Sequence, residues 1–251
     1  VSYSAFQKTR HGLAIYPRND RYVGRSLEVY GEYSEGEVDL FRSLLEPGDV
    51  VIEAGANVGA LTLPLARLVG PRGLVHAFEP QRIPYYITCG TIALNGLDHV
   101  QVHLAAVGRD VGFITVPEFA FDLPGSYGGL ELGPDADWRR DFAGRPVPVN
   151  TVSVVRLDAM FPQLGRLKLI KLDIEGMEKD ALDGARELIN RTRPFIYAED
   201  RDDTLFDYLV RMGGYDVQRH ETQLFNPENY FGHPEDVLGG ASSHMVLGRP
   251  I

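Results

Sequence analysis

Two acids and two glycines are the residues of this chain whose types and spacing most directly suggest chemistry. Glu53-Ala54-Gly55-Ala56-Asn57-Val58-Gly59 follows a short β-branched run, Val50-Val51-Ile52. Gly55 and Gly59 permit a sharp turn and a close approach of backbone to a ligand. The free N–H groups that open a following helix can take a carboxylate or similar anion. Further on, His76-Ala77-Phe78-Glu79-Pro80 sets a carboxylate at the end of a second apolar run. An acid there can accept hydrogen bonds from both hydroxyls of a nucleoside ribose. The same residues have a plainer use, the glycines in helix–strand packing and Glu79 as a solvated strand-end acid. Their joint occurrence in strand–turn–helix–strand order favours a bound ligand.

What the pattern lacks narrows the ligand. A dinucleotide fingerprint begun at Gly55 would need glycines at 57 and 60, where the chain has Asn57 and Ala60. The Gly-Lys-Ser/Thr ending of a phosphate-binding loop is absent. Glu53, two residues before Gly55, would repel phosphates and suits the ammonium of an amino acid. S-adenosylmethionine, with its ammonium, sulfonium and ribose, fits that charge layout.

A methyl donor needs an acceptor held in line and water kept out, and an alcohol acceptor must give up its proton to a base or a metal. Asp173, Glu175 and Gly176 close a later apolar run, where ligands sit in parallel sheets. Asp173 is expected beside the reacting methyl as substrate orienter or general base, with Glu175 on the acceptor. The competing use of either is to cap the next helix. Glu199-Asp200 ends another run and, with Asp173, could make an all-oxygen Mg²⁺ site. Neutralisation by Arg201 or by a helix start is the alternative, so a divalent metal is allowed but not expected. His76 and His103 lie within apolar runs and read as core residues. His233, inside Asn229-Tyr230-Phe231-Gly232-His233-Pro234, is the alternative base. Tyr33, Tyr127, Trp138 and Tyr230 could form a stacking surface for a sugar-like acceptor, although each alone suits ordinary packing.

These residues need a scaffold that brings strand ends together, and the periodicity supplies one. A helix over Glu35 to Leu45 is broken by Pro47-Gly48-Asp49. Strands are predicted at Val50–Ile52, Leu74–Phe78, Val100–Val107, Leu167–Leu172 and Phe195–Ala198, with tail candidates at Tyr215–Arg219 and His244–Leu247. Helices are predicted at Ile83–Leu94, with Pro84 in its first turn, and at Leu205–Met212, stopped by Gly213-Gly214. Between them, Ala181, Leu182, Ala185, Leu188 and Ile189 keep a helical period. The alternation implies an α/β, doubly wound, mostly parallel sheet. Pro64 requires its helix either to begin late, near Ala60, or to bend. Residues 1–46 read as an N-terminal lead-in and cap, and 47–251 as one domain. The stretch 117–150, rich in Pro, Gly and Asp, has no clear period and is expected to be an insertion or substrate lid.

Bulk properties exclude some classes. A formal net charge of −10 argues against holding nucleic acid through its phosphates. One cysteine, Cys89, allows no intrachain disulfide and suits a reducing compartment. No run has the length of a membrane span, and VSYSAFQKTRHG lacks the apolar core of a signal peptide. A cytoplasmic protein with no membrane or nucleic-acid partner is expected. The start at Val1 rather than Met leaves open a longer parent chain with flanking domains, and the oligomeric state is open too.

VVIEAGANVGALT, VHAFEP, IALNGL, LAAVG and LIKLDIEGMEKDALDGA, in that order, resemble the successive motifs of the FkbM-type methyltransferases. The resemblance runs from GEYSEGEVDLF to HMVLGRP. It implies a Rossmann-like class I methyltransferase sheet of seven strands with a reversed last strand. It also implies O-methylation of a hydroxyl on a sugar or complex natural product. By the same resemblance Glu53, Gly55, Ala56, Asn57 and Gly59 belong at the amino-acid end of the cofactor. Glu79 and Pro80 belong at the ribose, Ala106-Val107 beside the adenine, and Asp173 near the methyl. The first-strand acid, often Asp in this family, is Glu53 here. A nucleotide-dependent oxidoreductase is disfavoured by the missing glycines. A non-catalytic S-adenosylmethionine binder, sensor or partner subunit, would keep the cofactor motifs but need no acceptor site.

Overall fold

Val51 and Ile52 are sequence neighbours that enter different hydrophobic cores, as are Leu169 and Ile170. Strands that feed a core on each face must be apolar at nearly every position, and that requirement produces the short uninterrupted runs of the sequence. The computed structural model describes residues 2–132, 147–200 and 202–251. Strands β1 (Ser4–Lys8) and β2 (Leu13–Pro17) form an antiparallel hairpin. Helices α1 (Val23–Tyr30) and α2 (Glu35–Leu44) follow. The alternating unit then begins with β3 (Val50–Ala54), α3 (Thr62–Val69), β4 (Leu74–Phe78), α4 (Arg82–Leu94) and β5 (Val100–His103). Next come β6 (Ala106–Val107), β7 (Gly112–Pro117), β8 (Val149–Val155) and α5 (Leu157–Met160). The chain closes with β9 (Leu169–Leu172), α6 (Glu178–Asp183), α7 (Arg186–Thr192), β10 (Phe195–Glu199), α8 (Thr204–Met212), β11 (Tyr215–Gln223) and β12 (Ser242–Pro250).

The central sheet has seven strands in the order β11-β12-β10-β9-β3-β4-β5. Neighbours from β10 to β5 are parallel, whereas β12 runs antiparallel to both β10 and β11. This is the Rossmann-like α/β sheet with a reversed last strand that the sequence implied. From β3 the chain moves outward to β4 and β5 and later returns to place β9 on the other side of β3. The carboxyl ends of β3 and β9 therefore flank a topological switch point, where open α/β sheets bind ligands. One face is packed by residues of α5 to α8, among them Leu157, Leu182, Leu188 and Leu209. On the other, Val38 and Phe41 of α2 join Leu65 and Ile92. Among the described residues no helix is long and apolar enough to cross a membrane.

Several elements differ from the periodicity reading. The predicted strand Val100–Val107 divides, because Ala106 and Val107 leave the central sheet and pair with Val154 and Val155 in a small second sheet, β6-β8-β7. The helix predicted through Ala181 to Ile189 breaks at Gly184, whose added Cβ would stand 2.2 Å from the Gly108 carbonyl oxygen. Buried Asp158 then accepts from the N–H groups of Glu187 (3.2 Å) and Leu188 (2.8 Å), so a new helix starts there. Of the two courses that Pro64 allowed, the helix takes the late start. Because α3 begins at Thr62, the proline falls in the first turn, where the N–H that it lacks would have had no intrahelical acceptor. The lead-in holds a hairpin and a helix, whose Tyr16, Val23 and Leu27 pack with Val58 and Ile87. The strands at either end of the stretch 117–150 form the antiparallel pair β7 and β8, and residues 133–146 of the expected lid lie outside the described residues. Trp138 and Arg201 lie outside the described residues.

Candidate active site

The turn after β3 and the end of β4 fold onto each other through one carboxylate. Glu79 Oε2 accepts from the Asn57 N–H at 2.7 Å, and Oε1 accepts from the Gln81 N–H at 2.8 Å. Glu79 is buried, and burial pushes its carboxyl up to about 7 despite the stabilising N–H groups of Gln81 and Asn57. The turn needs left-handed backbone, with φ of 85° at Gly55 and 49° at Asn57. At Gly55 glycine is required twice, since a Cβ would also stand 1.8 Å from the Asp173 carbonyl oxygen. Gly55 thus sets how closely the ends of β3 and β9 approach.

Over these ends lies a cavity of about 720 Å³, within the range of small-molecule sites. Of the residues singled out by sequence, Gly55, Asn57, Glu79, Pro80, Ala106 and Val107 line it. Tyr33, Asp173 and Glu175 line it as well, beside Ser126, Gly128, Gly129, Leu130 and Leu132 of the irregular stretch, whereas Tyr127 does not. Ala56 is buried, donating its N–H to the Phe78 carbonyl at 3.0 Å, and the Gly59 N–H closes the turn on the Ala56 carbonyl at 2.8 Å. Tyr127 is buried among Phe119 and Phe121, and its carbonyl accepts from Gln81 Nε2 at 3.0 Å. Tyr230 and His233 are not in the lining. Tyr230 is 39% exposed and donates its N–H to Glu32 at 2.7 Å. His233 sits edge-on to Tyr30 and shares Nδ1 with the Glu235 backbone.

Beside this lining lies a buried charge cluster that pattern reading did not assemble. Lys171 points out of β9 with its side chain 1% exposed, its Nζ 3.4 Å from Asp173 Oδ2. Glu53 and Glu37 are the other acids that act on it. Burial opposes the Lys171 charge, but Asp173, Glu53 and Glu37 together outweigh that and raise its pKa. Burial also raises the carboxyls of Glu37 and Glu53, against the pull of Lys171. Glu53 is fully buried and absent from the lining, with Oε2 accepting from Thr62 Oγ1 at 2.6 Å. Glu37 lines the cavity. The sequence did carry one signal, a lysine inside the otherwise apolar run Leu169-Ile170-Lys171-Leu172.

At the ends of β9 and β10, carboxylate oxygens of Asp173, Glu175 and Glu199 all lie within 4.8 Å of one another. An all-oxygen set of this kind suits a hard divalent cation, although Lys171 already faces one member. Asp200, the other acid weighed for a metal, instead accepts from the N–H groups of Leu205 (3.1 Å) and Phe206 (2.8 Å) at the start of α8. Five buried side-chain atoms among the described residues have no hydrogen-bond partner, and three of them, Glu37 Oε2, Asn57 Oδ1 and Ser243 Oγ, belong to residues that line the cavity. Unpaired buried oxygens are costly, so their gathering there fits a polar ligand.

Residues 53–230 match the family model described as the methyltransferase FkbM domain. The chain is 29% identical over 212 residues to the 31-O-demethyl-FK506 methyltransferase FkbM of Streptomyces tacrolimicus, covering 72% of this chain and 78% of that protein. It is 27% identical over 146 residues to Methyltransferase 1 of Beauveria bassiana, covering 53% of this chain and 57% of the relative. The crystal structure of the methyltransferase FkbM from Methylobacillus flagellatus shares the fold, with a TM-score of 0.51 at 17% identity over 85% of this chain and 50% of that one.

Proposed function

This chain belongs to the methyltransferase FkbM domain family, and from that premise we propose that it is an S-adenosylmethionine-dependent O-methyltransferase acting on a hydroxyl of a sugar or complex natural product. The observation that carries the reading is Glu79, a buried acid lining the cavity at the end of β4, braced against the β3 turn. An acid so placed has lone pairs left for ribose hydroxyls. The unpaired oxygens of Glu37 and Asn57 fit the amino-acid end of the same cofactor. A relative named as the methyltransferase of 31-O-demethyl-FK506 supports oxygen as the site of methylation. The net charge of −10 supports an acceptor without a phosphate backbone.

In this reading Gly55, Ala56, Asn57 and Gly59 shape the turn against the amino-acid end, with Glu53 behind it. Glu79 and Pro80 hold the ribose, and Ala106 and Val107 give an apolar wall to the adenine. When bound, the cofactor supplies an electrophilic methyl group. Asp173 orients the acceptor hydroxyl and takes its proton on a carboxylate oxygen, while Lys171 steadies Oδ2 from below. Tyr33 and Glu175 present polar atoms to the acceptor. Ser126, Gly128, Gly129, Leu130 and Leu132 wall the cavity and limit water there. Asp173 is preferred to His233 as the base because it lines the cavity. Tyr127 supports that wall from within its aromatic cluster, and Tyr230 and His233 are left as an outer rim.

Calorimetric titration tests the cofactor. S-adenosylhomocysteine is expected to bind in the micromolar range, about −8 kcal/mol, and NAD to give no heat. The reverse pattern would defeat the proposal.

A further inference from the structure

Glu37 lies on α2, outside the residues that match the family model. It is 3% exposed and nevertheless lines the cavity. Its Oε1 accepts from Ser34 Oγ at 2.7 Å, and its Oε2 has no partner in hydrogen-bond geometry, although the Tyr197 hydroxyl, 2.8 Å from His220 Nδ1, also acts on the carboxylate. Ser34, with φ of 48°, opens the helix in left-handed backbone. The carboxylate is therefore tied down by one oxygen and offers the other.

The charge balance around it selects the kind of donor. Glu37, Glu53 and Asp173 surround one buried cation, Lys171. Three carboxylates against one ammonium disfavour an anion and favour a further cation. An ammonium brings three N–H donors and a charge, and its hydrogen bond to a carboxylate is among the stronger kinds. Glu53 is the acid that the sequence offers for this task, and its Oε1 is also unpaired while Oε2 accepts from Thr62, but unlike Glu37 it is missing from the lining. Resting on the cofactor reading above, we propose that Glu37, through Oε2, receives the α-ammonium at the amino-acid end of the cofactor, with Glu53 acting behind it to balance Lys171.

The test is a binding cycle by calorimetry on the whole chain. Its two probes are S-adenosylhomocysteine and the analogue with hydrogen in place of the α-amino group, and its two proteins are the wild type and Glu37→Gln. Deleting the amino group is expected to weaken wild-type binding about tenfold or more and to matter little in the variant. A ratio between the two losses of about fivefold or more supports the contact, and a smaller ratio overturns it. Should Glu37→Gln fail to fold, Glu37→Met, apolar and similar in length, carries the same comparison. A wild-type loss below about fivefold overturns the contact without any variant. If the wild type binds neither probe, the cofactor reading itself falls, and that outcome is distinct from binding both probes equally.

Discussion

Glu79 and Glu37 both line the cavity as buried carboxylates, but they are built in different ways. Glu79 is held by backbone, from Gln81 two residues on and from Asn57 in the neighbouring turn, so both its oxygens are already engaged. Glu37 is held through one oxygen by the side chain of Ser34, the residue that precedes its helix, and its charge is balanced by Lys171 of β9. The first acid belongs to a local turn whose geometry is written in glycines and a strand end. The second belongs to a cluster that exists only once α2, β3 and β9 have packed. Damage to the first is expected to appear in ligand binding, and damage to the second in the fold as well.

The largest effect should come from removing the shared cation. Lys171→Met leaves buried carboxylates without their counter-charge, and a loss of about 3–5 kcal/mol is expected in urea unfolding at pH 8. The loss should shrink as the pH falls, because Glu37 and Glu53, with raised carboxyl pKa values, take up protons more readily in the folded protein. Unchanged stability would erase the contrast drawn here. Next in size, Asp173→Asn should cut turnover by about a hundredfold or more while the S-adenosylhomocysteine Kd moves by less than about threefold. Full activity in this variant would remove Asp173 from the chemistry.

At the other acid the expected effect is smaller and confined to the ligand. Glu79→Ala should weaken S-adenosylhomocysteine binding by roughly 2 kcal/mol, with a thermal transition close to that of the wild type. A fall in stability matching Lys171→Met would show that the two acids do not differ as described. The smallest effect is a pH dependence. Because the Glu79 carboxyl sits at about 7, it is protonated below that value, and a ligand that prefers the ionised acceptor must expel the proton. Affinity should therefore drop as pH falls below about 7, by at most about tenfold per unit, and level off above it. Glu79→Gln should lose this limb, and a wild-type profile flat from pH 5 to 8 would contradict the assignment.

Much of the scaffold was legible because burial on both faces leaves a strong mark. Runs such as Val50–Ile52 and Leu74–Phe78 can serve only strands packed from each side, and the structure extends or keeps them. The Gly55 turn and the Glu79 strand end were also legible, since positive φ and strand-end acids depend on residue type within a few positions. The antiparallel pair β7 and β8 was not, since β7 has no fully buried residue before Val116 and its partner lies more than thirty positions on. The break at Gly184 was equally hidden, because its cause is the backbone of Gly108.

By itself the sequence determined the order of most strands and helices, the glycine turn after β3, and the acids at the strand ends. All of these follow from periodicity and short-range backbone chemistry. Tertiary structure alone decided which acids face the cavity and which support it. Glu53 turned toward Thr62 and Lys171, Glu37 came in from a helix ahead of the residues that match the family model, and Tyr230 and His233 stayed out of the lining. The physical reason is that a buried charge is governed by what surrounds it in three dimensions. Neighbours such as Glu37 and Lys171, 134 positions apart in the chain, leave no spacing to read.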